Sequence, residues 1–256
     1  MKNVYIGCCG FPCARNKYYK LFNVVELQNT FYELPSKEWA NELRKNAPPG
    51  FIFTMKAFQA ITHPSTSLTW KRMKRKLPGD LSNYGFLKPS KENMNALEET
   101  MEIARVLNAK IVVFQTPPNM PYNEQVVKWV MEFFERTRSF RDKNICYGWE
   151  PRGEWAKSAK LKDILSKYEI IHVVDVFRHR PLNKPGGIFY TRLHGLGKDE
   201  VNYRYNYTHE DLGNLINMLR EEEFKEGFVM FNNVKMLDNA LSLKEMLKEK
   251  RIFNVF

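Results

Sequence analysis

Short apolar runs rich in β-branched and aromatic residues alternate along this chain with longer segments of helical period. The runs are Val4 to Ile6, Val24 to Leu27, Phe51 to Met55, Ile111 to Phe114, Ile145 to Trp149, Ile170 to Val174, Ile188 to Leu193 and Phe228 to Phe231. Each has the length and composition of a buried strand. Helical spacing joins Leu97, Met101, Ala104 and Leu107, then Val126, Val130 and Phe133, then Leu212, Leu215, Ile216 and Leu219, then Leu243, Met246 and Leu247. Ser90 stands before the first of these helices, and Thr208 with Asp211 three positions on predicts a capping box before the third. Such alternation argues for βαβ units and a parallel sheet. Eight strands in 256 residues fit an α/β fold closed as a (β/α)8 TIM barrel better than the alternative, an open doubly wound sheet. No repeat or Gly/Ser linker interrupts the chain. Residues 1–256 are therefore expected to form one domain, with a long insertion in the third βα connection at about 64–88.

Composition narrows the picture. With 43% hydrophobic and 14% aromatic residues the chain carries enough apolar side chain for its own core, which excludes a disordered tail. No run approaches the roughly 18 apolar residues of a membrane-spanning helix, and the N-terminal segment lacks an apolar signal core. A cytoplasmic protein with no membrane partner is expected. The cysteines are Cys8, Cys9, Cys13 and Cys146, and their spacing matches neither a zinc site nor a disulfide framework. They are expected to be reduced structural thiols. Lys and Arg outnumber Asp and Glu by 40 to 29, a net charge of +11 that favours anionic partners.

In a parallel barrel, chemistry sits at the carboxyl ends of strands, and polar groups fall there in this chain. Strand two ends at Glu26 and Asn29, strand three at Lys56, strand four at Gln115, and strand five at Glu150 and Arg152. Strand six ends at Asp175, strand seven at Arg192 and His194, and strand eight at Asn232 and Asn233. They are expected to converge on one mouth. Buried without partners, each would cost about 1–3 kcal/mol, so they pair with one another or serve a ligand. Glu26 reads either as an ion-pair partner of Lys56 or as a general base or metal ligand. Glu150 and Arg152 flank Pro151, which forces an extended path and points both side chains the same way; Arg152 is then an anion clamp or a structural bridge. His194 suits acid/base work, with an ordinary pKa of about 6.5, whereas His172 lies inside an apolar strand and reads as structural. Gly186-Gly187 precedes a strand and opens no helix, so it is no dinucleotide fingerprint, and neither a Walker sequence nor a nucleophile elbow occurs. No cofactor is expected. A divalent metal held by Glu26, Glu150, Asp175 and His194 stays open, without a ligand spacing to mark it.

At these residues the chain resembles the YecE-like family, domain of unknown function 72 (DUF72). The match runs through Ile6-Gly7-Cys8-Cys9-Gly10-Phe11, Val25-Glu26-Leu27-Gln28-Asn29-Thr30-Phe31-Tyr32, Lys56-Ala57 with Ala60-Ile61-Thr62-His63, Phe114-Gln115-Thr116-Pro117-Pro118, Trp149-Glu150-Pro151-Arg152, Tyr190-Thr191-Arg192-Leu193-His194-Gly195 and Phe231-Asn232-Asn233. The resemblance implies a TIM barrel and no settled activity. It places Glu26, Asn29, Lys56, His63, Gln115, Glu150, Arg192, His194 and Asn232 among the family's characteristic polar positions. Two segments depart from its pattern. Gly7-Cys8-Cys9-Gly10-Phe11 stands where members show Gly-Thr-Ser-Gly-Trp, and Pro151-Arg152-Gly153-Glu154-Trp155 stands where an Arg-His-Pro type of segment is common.

The insertion supplies much of the charge, with five Lys or Arg in the six positions 71 to 76. Cations beside aromatic rings suit a polyanion groove, while the plain alternative is a solvated basic face. Two functions follow. In the first, the barrel mouth is an acid/base enzyme site for a phosphate-bearing substrate. That substrate is a sugar phosphate or, by fold-level analogy with barrel endonucleases, a nucleic acid. Glu26, Glu150 and His194 are then catalytic, and Asn29, Lys56, His63, Gln115, Arg152, Asp175, Arg192 and Asn232 bind substrate. In the second, the protein binds DNA or RNA without chemistry through Trp70, Lys71, Arg72, Lys74, Arg75 and Lys76, with Tyr84, Phe86 and the row Tyr203, Tyr205, Tyr207 as stacking surfaces.

Overall fold

The structure is a computed structural model and describes residues 1–140, 142 and 144–256. It divides into two compact units: Met1–Glu26 with Pro48–Ile52 and Ile171–Phe256, and Leu27–Ala47 with Phe53–Ile170.

The first unit is built on parallel pairing around strand β1 (Asn3–Cys9). On one side β1 pairs with β2 (Val24–Leu27), in a register that sets Cys9 beside Glu26. In the second half of the chain come β6 (Ile171–His172), β7 (Ile188–Leu193) and β8 (Glu226–Phe231). β8 pairs with β1 and with β7, and a short β9 (Asn254–Val255) adds to β1. Helix α1 (Arg15–Leu21) crosses from β1 to β2 and buries one residue, Tyr18. Its hydroxyl accepts from the Cys8 amide at 2.8 Å and donates to the Val24 carbonyl at 2.8 Å, tying the two strands together. Helices α8 (His209–Glu221) and α9 (Met236–Lys250) bury the leucine stripes that helical spacing picks out.

The second unit repeats the pattern with β3 (Ile52–Lys56), β4 (Ala109–Gln115) and β5 (Cys146–Glu150), parallel in that order. Its helices are α2 (Asn29–Tyr32), α3 (Lys37–Lys45), α4 (Gln59–Thr62), α5 (Lys91–Val106), α6 (Glu124–Thr137) and α7 (Leu161–Lys167). Ser90 caps α5 by accepting from the Asn93 amide. The insertion at 64–88 holds only 3-10 turns, at Leu68–Arg72 and Leu81–Asn83. The side chain of Asn93, fully buried, staples its far end, reaching the Gly85 amide and the carbonyls of Gly85 and Lys88. Among the described residues no helix is long and apolar enough to cross a membrane.

All eight expected strands are present, with bounds shifted by a few residues. The sixth is much shorter than its apolar run: after His172 the ladder continues only as an isolated bridge between Val174 and Thr191. The capping box is complete, with Thr208 accepting from the Asp211 amide and Asp211 from the Thr208 amide. Thr208→Ala should cost about 1 kcal/mol of stability, read as a lower midpoint in urea at unchanged slope.

Candidate functional site

In the first unit, side-chain alternation on β7 puts Tyr190 and Arg192 on one face of the strand. Both reach Glu26 on β2. Arg192 approaches Glu26 Oε1 with Nε at 3.1 Å and Nη2 at 2.9 Å, while the Tyr190 hydroxyl donates to Oε2 at 2.7 Å. Glu26 and Arg192 are 0% exposed, so this is a charge pair taken wholly out of water. Arg192 is thus an ion-pair partner of Glu26 within its unit. The Cys9 thiol lies against the pair, and burial followed by the Glu26 charge pushes its pKa well up. Cys8 is likewise held protonated, its pKa raised to about 12 chiefly by burial. All four cysteines are free thiols.

A second group in this unit forms where β6 and β7 end. The Asp175 carboxylate accepts from the Phe177 amide through Oδ1 and from the His194 amide through Oδ2, both at 3.1 Å. The His194 ring stands beside it, Nδ1 lying 3.9 Å from Oδ2. Below, the Tyr207 hydroxyl accepts from the Gly195 amide at 2.8 Å, and Arg178 donates to the Gly195 carbonyl at 3.1 Å. Burial and the Asp175 charge raise the Tyr207 pKa. Asp175 is therefore fixed by backbone donors. His172 accepts from the Leu182 amide through Nδ1, which agrees with a structural role.

In the second unit, Lys56 at the end of β3 lies over the Phe31 ring, Nζ 3.6 Å from its centroid. Thr30 donates to the Lys56 carbonyl at 2.7 Å and fixes the backbone there. At the end of β5, Arg152 donates to Glu150 Oε1 through both Nε (3.1 Å) and Nη2 (2.9 Å), so the two do turn the same way past Pro151. His63 follows α4, its ring edge-on to Phe31 at 4.9 Å and its Nδ1 2.9 Å from the Thr62 hydroxyl. Burial, then the positive charges of Lys56 and Arg152, lowers the His63 pKa to about 3. The unfolded chain takes up this proton near pH 6.5 and the folded chain does not, so acidification from about pH 6.5 to about pH 3 erodes stability. His63→Gln should flatten that part of the pH–stability curve, followed by thermal melts between pH 7 and pH 4.

The other candidates sit as follows. Asn29 is exposed on α2; Thr30 beside it is buried. Asn232 is half-buried and the buried amide is Asn233, which donates to the Tyr205 carbonyl and to Asn239, both at 2.8 Å. Gln115 is buried at the end of β4. In the insertion Lys71, Arg72, Lys74 and Lys76 are exposed. Arg75 instead pairs with Glu99 at 2.6 Å and lies over Phe58, and Arg72 lies over the Tyr32 ring. Trp70 donates to the His63 carbonyl and meets Tyr84 edge-on. Tyr84 is itself buried, its hydroxyl on the Pro78 carbonyl. The tyrosine row is no stacking surface either: Tyr207 is buried, Tyr205 donates to Asp211, and only Tyr203 is exposed. Trp70, Tyr84, Tyr205 and Tyr207 are thus engaged within the fold.

The structural roles of Tyr190, Thr62, Arg178 and Tyr207 are not read from the sequence. Tyr190 was within reach, because it stands two positions before Arg192 on the same strand face. The other three join loops to strand ends and carry no periodic signal. Among the described residues no group of three or more His, Cys, Asp or Glu side chains is placed to hold a metal ion.

The family described as "Protein of unknown function DUF72" matches residues 14–254. The chain belongs to this family. Among solved structures, a DUF72 family protein from Enterococcus faecalis V583 aligns with 97% of this chain and 98% of its own, at 20% identity and TM-score 0.72. A DUF72 family protein from Thermotoga maritima MSB8 aligns with 96% of this chain and 99% of its own, at 23% identity and TM-score 0.66. Beyond the DUF72 family, a D-psicose 3-epimerase solved in the presence of D-fructose covers 97% of this chain and 99% of its own, at 12% identity and TM-score 0.58. No curated protein matches. These likenesses show the fold, a TIM barrel with parallel strands, as the alternation of strands and helices predicts. In this DUF72 protein Glu26, Lys56, Gln115, Glu150 and Arg192 lie on the last residues of their strands, with Asp175, His194 and Asn232 just beyond.

Proposed function

We propose that the chain is a cytoplasmic acid/base enzyme acting on a phosphate-bearing substrate, a sugar phosphate or the backbone of a nucleic acid. The observation that carries this reading is the field at His63. Burial comes first in holding that ring neutral, and every charge that acts on it with a named sign is positive, Lys56 and Arg152. Two cations against the one carboxylate, Glu150, that binds Arg152 leave a positive balance at the ring, which suits an anion such as phosphate. Acid/base work is assigned to His194, whose amide donates to Asp175 and whose ring stands 3.9 Å from that carboxylate. Glu150 is the better of the two candidate bases. Glu26 has both oxygens engaged by Arg192 and Tyr190, so it is assigned to holding Arg192 in place.

Binding without chemistry through the insertion is less well supported, because Arg75 and Trp70 are tied into the fold. The experiment separates the two. Calorimetric titration with inorganic phosphate should give binding that Lys56→Met weakens by about tenfold or more, the worth of one charge-assisted contact. Replacing Lys71, Lys74 and Lys76 together by Gln should leave that binding unchanged. With a panel of sugar phosphates and abasic oligonucleotides, His194→Gln should remove turnover and keep binding. Phosphate or oligonucleotide binding that depends on Lys71, Lys74 and Lys76 and ignores Lys56 would overturn the enzyme reading in favour of the nucleic-acid one.

A further inference from the structure

The Thr62–His63 contact has a chemical consequence that rests on the anion-binding reading and goes beyond it. We propose that Thr62 locks His63 as the neutral imidazole with its proton on Nε2, and that His63 serves as a hydrogen-bond donor to an anionic oxygen of the substrate rather than as a proton-transfer group.

Proton counting makes the argument. A threonine hydroxyl has one proton to give, and Thr62 is 1% exposed, so water is not at hand to take it. The partner of Thr62 Oγ1 is His63 Nδ1 at 2.9 Å, and no other acceptor is in reach among the described residues. If Nδ1 carried the ring proton, the hydroxyl could only accept, and its own proton would be left buried and unmet. If Thr62 donates, Nδ1 is the acceptor and the ring's single proton stands on Nε2. Adding a second proton is opposed by Lys56 on β3, lying over Phe31, and by Arg152 beyond β5, whose guanidinium is in turn paired with the Glu150 carboxylate. The Phe31 ring and the Trp70 indole on the His63 carbonyl are uncharged neighbours.

A neutral imidazole that is fixed in tautomer cannot act as an acid at neutral pH, since it holds no spare proton. It can still place an N–H against charge that develops on a substrate oxygen, and it does so without reorganisation. The same cations that keep the ring neutral draw an anion toward it.

Nitrogen-15 correlation spectra of the histidine rings in the intact protein test this, with His63→Gln assigning the signal. The wild type should show a protonated Nε2 and an unprotonated Nδ1 for His63, unchanged between pH 8 and pH 5. Thr62→Val, which keeps the shape and removes the donor, should mix the two tautomers, and Thr62→Ser should restore the single one. Lys56→Met should bring the ring's titration back toward the ordinary range. Inorganic phosphate, added to the wild type, should shift the Nε2 proton. A proton on Nδ1, a titration near pH 6.5, or phosphate that binds through Lys56 and leaves Nε2 unmoved would overturn the proposal. Should phosphate fail to bind at all while the tautomer is as stated, the anion reading fails and takes the donor role with it.

Discussion

Arg192→Met should cost about 3–5 kcal/mol of folding stability, the largest loss expected from any side-chain truncation at the strand ends. The reason is what it leaves behind. Glu26 is 0% exposed and gives Oε1 to both Nε and Nη2 of Arg192, and methionine fills much the same volume while offering no donor. The carboxylate would then be buried with the Tyr190 hydroxyl on Oε2 and the Cys9 thiol beside it, neither of which carries the charge a guanidinium supplies, and it must stay charged at a cost or take up a proton. Thermal denaturation should show a drop of roughly 6 °C or more, given about 2–4 °C per kcal/mol for a chain of this size. Two further variants separate the charge from the packing. Glu26→Gln should soften the loss when combined with Arg192→Met, since a neutral amide no longer needs the guanidinium. The pair Glu26→Leu with Arg192→Met should come close to the wild type, because apolar replacement of a buried ion pair is often neutral. A single Arg192→Met protein that melts within 2 °C of the wild type would show that Glu26 is not held as a charge, with roughly 1 kcal/mol as the most that pair then contributes.

That pair also marks where sequence reading reaches its limit. The strands were legible because each is a short run of apolar residues between turns, and period two then gives side-chain faces without any structure. The helices that were legible have broad stripes: Leu212, Leu215, Ile216 and Leu219 are all buried in α8. The helices that were not are short or poorly striped. α1 buries only Tyr18, α3 only Ala40 and Leu43, and α7 lies within seven residues. Their existence depends on docking, which no local pattern records.

For the site, strand-end position was the informative signal, and it picked out Glu26, Lys56, Glu150, Asp175, Arg192 and His194. Which of these would pair was not legible. Glu26 could face a cation from either side of β2, and only the alternation of Tyr190 and Arg192 on β7 shows why Arg192 reaches it. In the basic run the partner of Arg75 is illegible for a related reason. Charge is visible in sequence, but Arg75 is engaged by Glu99, which stands 24 positions away on α5, and such a pairing is a tertiary fact. Local roles are read from sequence most safely where one strand or one cap carries them.

Gly195→Ala should be nearly as damaging as Arg192→Met, for reasons of space instead of charge. Gly195 follows His194 with φ +87°, a conformation that side chains with a Cβ rarely adopt, and relaxing it costs on the order of 1–3 kcal/mol. A Cβ at that position would lie 2.1 Å from the Asn202 carbonyl oxygen and 2.7 Å from Tyr205 Cβ. Backbone cannot give way as a side-chain tip can, so the loop from 195 to 205 must move, adding overlap strain of about 1–3 kcal/mol. The displacement reaches the proposed chemistry directly. The Gly195 amide holds the Tyr207 hydroxyl and its carbonyl holds Arg178, while the preceding carbonyl, that of His194, accepts from the Asn202 amide at 2.7 Å. Moving the loop therefore turns His194 away from Asp175. Thermal melting should fall by several degrees, and any turnover found for the wild type should fall with it. Phosphate binding through Lys56 and Arg152 should persist, because those groups belong to the other unit. Full turnover in a stably folded Gly195→Ala protein would mean that the loop yields without disturbing the histidine, and that His194 is not the group that moves the proton.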